Sequence, residues 1–416
     1  MPRVLFCTIP EKGHLHPMIG PAQRLRDAGA DVAFYAPHDL SEALSRAGLD
    51  AFLGPRARGP TADANRGARF AAQVADAAWL RAWIRALLVD AAPAEVEPVR
   101  AVIRAWRPDV VALDPMVYAA VIAASLEGVP WAALSNSLNP CLPDDLDSEL
   151  LATVRDLAAD RDALFARYGL RAEFRGCDAL SPHLTAAFTT REFIGREVPG
   201  VHLVGPSFPV GERGDEVDFP WGRLRPERPL VYMSLGSQIY HQPAMFRAVV
   251  DACKGRGVDL ALSVSELVDT GELGALPEYA TAVRYAPQRA LLERARVFVT
   301  HGGANSVMEA AACGVPMLVS PICNDQLHNA RFVERAGVGV RLDMRTAADA
   351  AIGAALDALL GDGGVRERGR VVAESYGADG AAEAARRVLA LATRGDQPSL
   401  RVASVSASSF SGASSS

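Results

Sequence analysis

The sequence predicts an α/β protein made of two doubly wound parallel-sheet units. Three observations lead there. Continuous apolar runs of strand length alternate with longer stretches of helical period, which is how βαβ units around a buried parallel sheet read. That alternation begins twice, near Val4 and again near Leu230. The chain has 416 residues, 50% of them hydrophobic and 22% charged, enough for about two to three ordinary cores.

The elements follow in order. Residues 4–9 read as a strand, 17–28 as a helix closed by Gly29, and 31–36 as the next strand. Arg107 and Pro108 lead into a strand over 109–113, a helix follows over 117–126, and Gly128 and Pro130 introduce a strand over 131–135. The second unit repeats the pattern with strands over 230–235, 259–263, 297–300 and 317–320 and helices over 245–255 and 306–313. This gives an N-terminal unit over 1–205, a Pro- and Gly-rich linker over 206–229, a C-terminal unit over 230–396 whose last helix can pack back on the first, and a serine-rich tail over 397–416 too polar to order itself. Two longer stretches, 52–92 with Phe70, Trp79 and Trp83 and 140–179 with Phe165, Tyr168 and Phe174, read equally as helical core or as insertions that build a pocket.

Composition narrows the function. A net charge of −6 offers no basic field for nucleic acid or an anionic membrane. The amino terminus reads as a strand instead of a signal peptide, and the longest apolar region, 110–134, is broken by Asp114, Pro115, Glu127 and Pro130, short of the ~20 clean residues a span needs. A cytoplasmic protein without integral membrane association is expected. The six cysteines lack CxxC spacing and read as packed thiols, so no zinc site or disulfide framework is expected.

The most informative stretch runs from Tyr285 and Gln288 through His301, Gly302, Gly303, Asn305, Ser306 and Glu309 to Asp325 and Gln326. A strand delivers His301, two glycines turn the chain, and a helix starts near Asn305. Free backbone amides and a helix dipole then converge where a phosphate can bind. One turn on, Glu309 can accept two hydrogen bonds from the vicinal hydroxyls of a ribose. In the first unit, Gly13, His14 and His16 follow the first strand, where a parallel sheet presents ligands, and without GxGxxG they do not support a dinucleotide dehydrogenase. Asp114 ends the strand 109–113, where it can orient a histidine or cap a helix.

The spacing from His301 to Asn305, Ser306, Glu309, Asp325 and Gln326 resembles the donor signature of the family 1 UDP-dependent glycosyltransferases. Tyr285 in place of the plant Trp, the pair Gly303 and Ala304, and a short interval from Gln288 to His301 are similar to the bacterial macrolide and antibiotic branch. The resemblance implies the GT-B fold, two Rossmann-like domains facing across a cleft. It implies that Tyr285 stacks on the base, that Gln288 and Glu309 hold the ribose, and that Ser237, His301, Gly303, Asn305 and Ser306 meet the diphosphate. Asp325 and Gln326 would hold sugar hydroxyls, and His14, with His16 as rival, would be the catalytic base partnered by Asp114. Acceptor-side candidates are Phe70, Trp79, Trp83, Met116 and Asn136.

The expected activity is inverting transfer of a hexose, glucose first, from a UDP-sugar to a hydroxyl of a largely apolar natural product, by a monomer or homodimer. No metal and no cofactor beyond the UDP- or dTDP-sugar co-substrate are expected. Asp145 and Asp147 spell a metal-binding DxD, but they precede a helix start, not a strand end. A dTDP-deoxysugar transferase, a nucleotide-sugar epimerase or hydrolase, and a non-catalytic nucleotide-sugar binder remain alternatives.

Overall fold

The computed structural model describes residues 1–55, 66–211 and 218–393. The tail over 397–416 and the middle of the linker lie outside the described residues. Among them are two six-stranded, all-parallel sheets. The first unit contains β1 (Arg3–Cys7), β2 (Asp31–Tyr35), β3 (Val110–Leu113), β4 (Trp131–Ser135), a two-stranded hairpin of β5 (Glu173–Arg175) and β6 (Asp178–Leu180), then β7 (Leu184–Ala187) and β8 (His202–Leu203). Its sheet runs β2-β1-β3-β4-β7-β8. The second unit contains β9 (Leu230–Ser234), β10 (Asp259–Ser263), β11 (Ala280–Val283), β12 (Ala295–Thr300), β13 (Met317–Val319) and β14 (Gly339–Arg341), in the order β11-β10-β9-β12-β13-β14.

The central strands β3, β4 and β9 are buried at every residue, so the alternation that marks a half-exposed strand is absent and an unbroken apolar run takes its place. In each sheet the strand order reverses at one point, between β1 and β3 and between β9 and β12. Crevices open at the carboxyl ends of such strands, and both crevices lie on the same cleft. The strands β7, β8, β11 and β14, of two to four residues, are not among the strands expected from the sequence.

The first helix departs from expectation. It spans Lys12–Asp27, not 17–28, so it begins five residues before the proline that was expected to open it and carries Pro17 and Pro21 inside. Each proline lacks the N–H that would bond the carbonyl four residues back. Those two carbonyls are taken from elsewhere: Gly13 O accepts from Asn305 Nδ2 at 3.0 Å and Pro17 O accepts from Ser207 Oγ at 2.6 Å. The interruptions are satisfied by groups from the second unit and the connecting segment.

The helix Gly380–Thr393 returns to the first unit and packs on Lys12–Asp27. Just ahead of it, Arg24 forks onto Asp379 at 3.0 and 2.6 Å, and Tyr376 OH meets Thr189 Oγ1 at 3.0 Å. All six cysteines are free thiols. No helix among the described residues is long and apolar enough to cross a membrane.

Candidate active site

One cleft of about 320 Å³ collects residues from both units, near the lower end for small-molecule sites. His14, in the first turn of the helix after β1, and Asp114, directly after β3, lie 100 residues apart but follow neighbouring strands, since Cys7 pairs with Leu113. His14 Nδ1 sits 2.5 Å from Asp114 Oδ2. Asp114 is 1% exposed, and its other oxygen accepts the Met116 N–H at 3.0 Å. In the neutral ring Nδ1 therefore carries the proton, and Nε2 can act as a base once the imidazolium has lost its own. Burial works to lower the His14 pKa, but the Asp114 carboxylate, with smaller help from Glu11 and Asp325, outweighs it and raises the value to about 9.

Asn136, expected on the acceptor side, follows β4, the next strand of the sheet. Its Nδ2 donates to Asp114 Oδ2 at 2.8 Å and to His14 O at 3.3 Å, and its Oδ1 has no protein partner in the cleft wall. Trp83 and Met116 also line the cleft. Phe70 and Trp79 do not: both rings pack on Trp83 at centroid distances of 6.0 Å and form a backing layer. His16 reaches the cleft too, but the contact with Asp114 belongs to His14.

The second unit supplies the facing wall from the ends of β9, β11, β12 and β13. His301 follows β12 and is 8% exposed. Burial lowers its pKa to about 4, opposed by a hydrogen bond to the Ser234 main chain, so the ring is neutral and offers an N–H instead of a charge. Gly236 and Gly303 make room for it, since a Cβ at either would come within 2.9 or 2.5 Å of the imidazole. Gly303 precedes the helix Ala304–Ala312, whose first N–H groups open into the cleft. Glu309, 3% exposed, accepts from Gln288 Nε2 at 2.8 Å, while Gln288 Oε1 accepts from Tyr232 OH at 3.3 Å. Tyr285 is 47% exposed, with the Lys12 ammonium 5.1 Å from its ring centroid. Ser237 and Ser306 also line this wall.

Three donor-side residues have partners that sequence reasoning did not anticipate. Asn305 donates across the cleft to Gly13 O. Gln326 Oε1 accepts from the Ile322 and Cys323 N–H groups at 2.8 and 3.1 Å and its Nε2 donates to Cys323 Sγ at 3.8 Å, so both ends of the amide hold the loop. Asp325 accepts from Asn329 Nδ2 at 2.9 Å, and burial pushes its pKa up. Asp145 and Asp147 diverge to separate arginines, Arg335 at 3.2 Å and Arg155 at 2.9 Å. Among the described residues no three potential metal ligands converge.

The profile of the UDP-glucoronosyl and UDP-glucosyl transferase family matches residues 222–368. L-demethylnoviosyl transferase of Streptomyces niveus is 29% identical over 400 residues, covering 89% of this chain and 93% of its own. Among solved structures, the glycotransferase of kitacinnamycin superimposes with a TM-score of 0.72 at 24% identity, over 94% of this chain and 99% of that one. The glycosyltransferase VinC, solved in complex with dTDP, gives 0.67 at 21% identity over 94% and 100%. The twin-sheet arrangement is the GT-B fold.

Proposed function

Because this chain belongs to the family 1 glycosyltransferases, in their bacterial antibiotic branch, we propose that it transfers a hexose from a UDP-sugar to a hydroxyl of a largely apolar natural product with inversion. The observation that carries this reading is the pairing of His14 and Asp114 at 2.5 Å in the same cleft as Glu309 and the start of the helix Ala304–Ala312.

His14 Nε2 takes the acceptor proton as its oxygen attacks the anomeric carbon, and Asp114 stabilises the imidazolium that forms. The C1–O bond to the diphosphate breaks as the new C1–O bond forms on the opposite face. The nucleoside diphosphate leaves with the electron pair. The helix N-terminus at Gly303, the neutral His301 N–H and the Ser237 hydroxyl meet the charge that develops there, a task that calls for no metal. Trp83 and Met116, which line the cleft, support an apolar acceptor.

Glu309 and Gln288 support a ribose donor, because a site built to bind a vicinal diol discriminates against a sugar lacking one hydroxyl. The dTDP bound to VinC supports the second reading, a dTDP-sugar donor. Incubation with UDP-glucose or dTDP-glucose and a phenolic acceptor separates them. Faster glycoside formation from UDP-glucose is expected. A preference for dTDP-glucose replaces the donor assignment, and nucleotide release without glycoside overturns the transferase reading.

A further inference from the structure

Behind His14 and Asp114 lies a second carboxylate that the transfer step does not use. Asp178, on β6, is 1% exposed. One of its oxygens accepts from Ser135 Oγ at 2.5 Å and the other from Asn139 Nδ2 at 2.8 Å, while Ser137 Oγ stands 3.4 Å from both. These donors are alternate residues of the segment leaving β4. The residue between the first two, Asn136, faces the other way, onto Asp114 and the His14 carbonyl. Asp178 thus grips one side of a segment whose other side carries the amide that touches the base pair.

We propose that Asp178 is a positioning residue for transfer: by holding Ser135, Ser137 and Asn139 it fixes the segment after β4, and so keeps the Asn136 amide on Asp114 and His14. The proposal rests on His14 and Asp114 being the base pair described above. Asp114 Oδ2 accepts from both His14 Nδ1 and Asn136 Nδ2, so the amide limits rotation of the carboxylate and, through it, of the imidazole. If the segment shifts, that amide leaves, and the aim of Nε2 at the acceptor is lost without any change in the donor wall. Buried carboxylates are retained at such places only when hydrogen-bonded. Burial pushes the Asp178 pKa up to about 7, against the pull of Ser135 and Asn139; Asp114 adds to the rise and His14 opposes it.

The test is a double-mutant cycle on the full chain with UDP-glucose and a phenolic acceptor, reading kcat, its pH midpoint and UDP affinity for Asp178→Ala, Asn136→Ala and the double variant. A displacement of about 1 Å in a reacting group costs on the order of 100-fold. Each single variant is expected to lose roughly 10- to 100-fold in kcat with UDP affinity unchanged, consistent with that displacement, and the double variant to lose no more than the larger single loss. Asp178→Asn, which keeps one accepting oxygen, should recover part of the rate. A wild-type kcat and pH midpoint in Asp178→Ala, or losses that multiply with those of Asn136→Ala, overturns the proposal. Should Asp178→Ala fail to fold, Asn139→Ala removes one donor of the same clamp, and the same coupling criterion decides. Should His14→Ala retain full activity, the base reading falls on its own. NMR titration of the His14 ring then still decides positioning, with a midpoint moved by Asp178→Ala supporting it and an unmoved one refuting it.

Discussion

At the scale of single residues, the proposed base, His14, carries its own pH signature. Burial disfavours the His14 charge, but Asp114 holds the pKa at about 9. The free enzyme is therefore mostly protonated at neutral pH, and kcat/KM should rise with pH until it levels near that value. Asp114→Asn removes the charge, so the midpoint should fall toward the ordinary histidine value while the maximal rate drops roughly 100- to 10,000-fold, the scale of a disabled general base. A pH–rate series on both proteins checks this. Glu309 makes a separate prediction. With two ribose hydroxyls deprived of their acceptor, Glu309→Ala should weaken UDP binding by about 10- to 100-fold, the worth of hydrogen bonds to a charged group. Titration calorimetry should show a smaller effect on dTDP, whose sugar lacks the 2′-hydroxyl. The convergence of Gln288, His301 and Glu309 on one face of the cleft was legible, because they lie in one contiguous stretch. The Asn136 contact with Asp114 was not, because it depends on which way an amide turns after a strand.

At the scale of elements, the first helix carries two prolines that a local pattern would place at or before its start. Pro17 in a sequence signals a helix start, yet the helix begins at Lys12 because outside donors satisfy the carbonyls that Pro17 and Pro21 release. Neither Asn305 nor Ser207 adjoins the helix in sequence, so no local pattern could have announced them. Ser207→Ala should leave the Pro17 carbonyl buried without a partner and lower unfolding stability by about 1–3 kcal/mol. Denaturant unfolding measures it. The long central strands were readable because burial on both faces makes their composition uniformly apolar. The edge strands β8 and β14, with two and three residues, owe their conformation to their neighbours.

At the scale of the whole molecule, one cleft joins two halves of unequal legibility. The proposed donor wall is written largely between Tyr285 and Gln326, whereas the proposed base site is assembled from the ends of β1, β3 and β4, far apart in the chain and adjacent only through sheet order. The base pair also links folding to pH. The His14 value is raised above that of the unfolded chain, so its stabilising contribution is full below about pH 6.5 and is lost as pH rises through about 9. Wild type and His14→Gln should therefore differ most in unfolding midpoint near pH 6 and converge above pH 9. The proposed single displacement with His14 as base fixes the configuration of the product. The most direct measurement is the anomeric configuration of the glycoside formed from UDP-α-glucose, read by NMR for wild type and for His14→Ala. A β-glycoside is expected from wild type, and a roughly 100- to 10,000-fold slower reaction in the variant with UDP affinity retained. An α-glycoside, or an undiminished rate in His14→Ala, would contradict that mechanism.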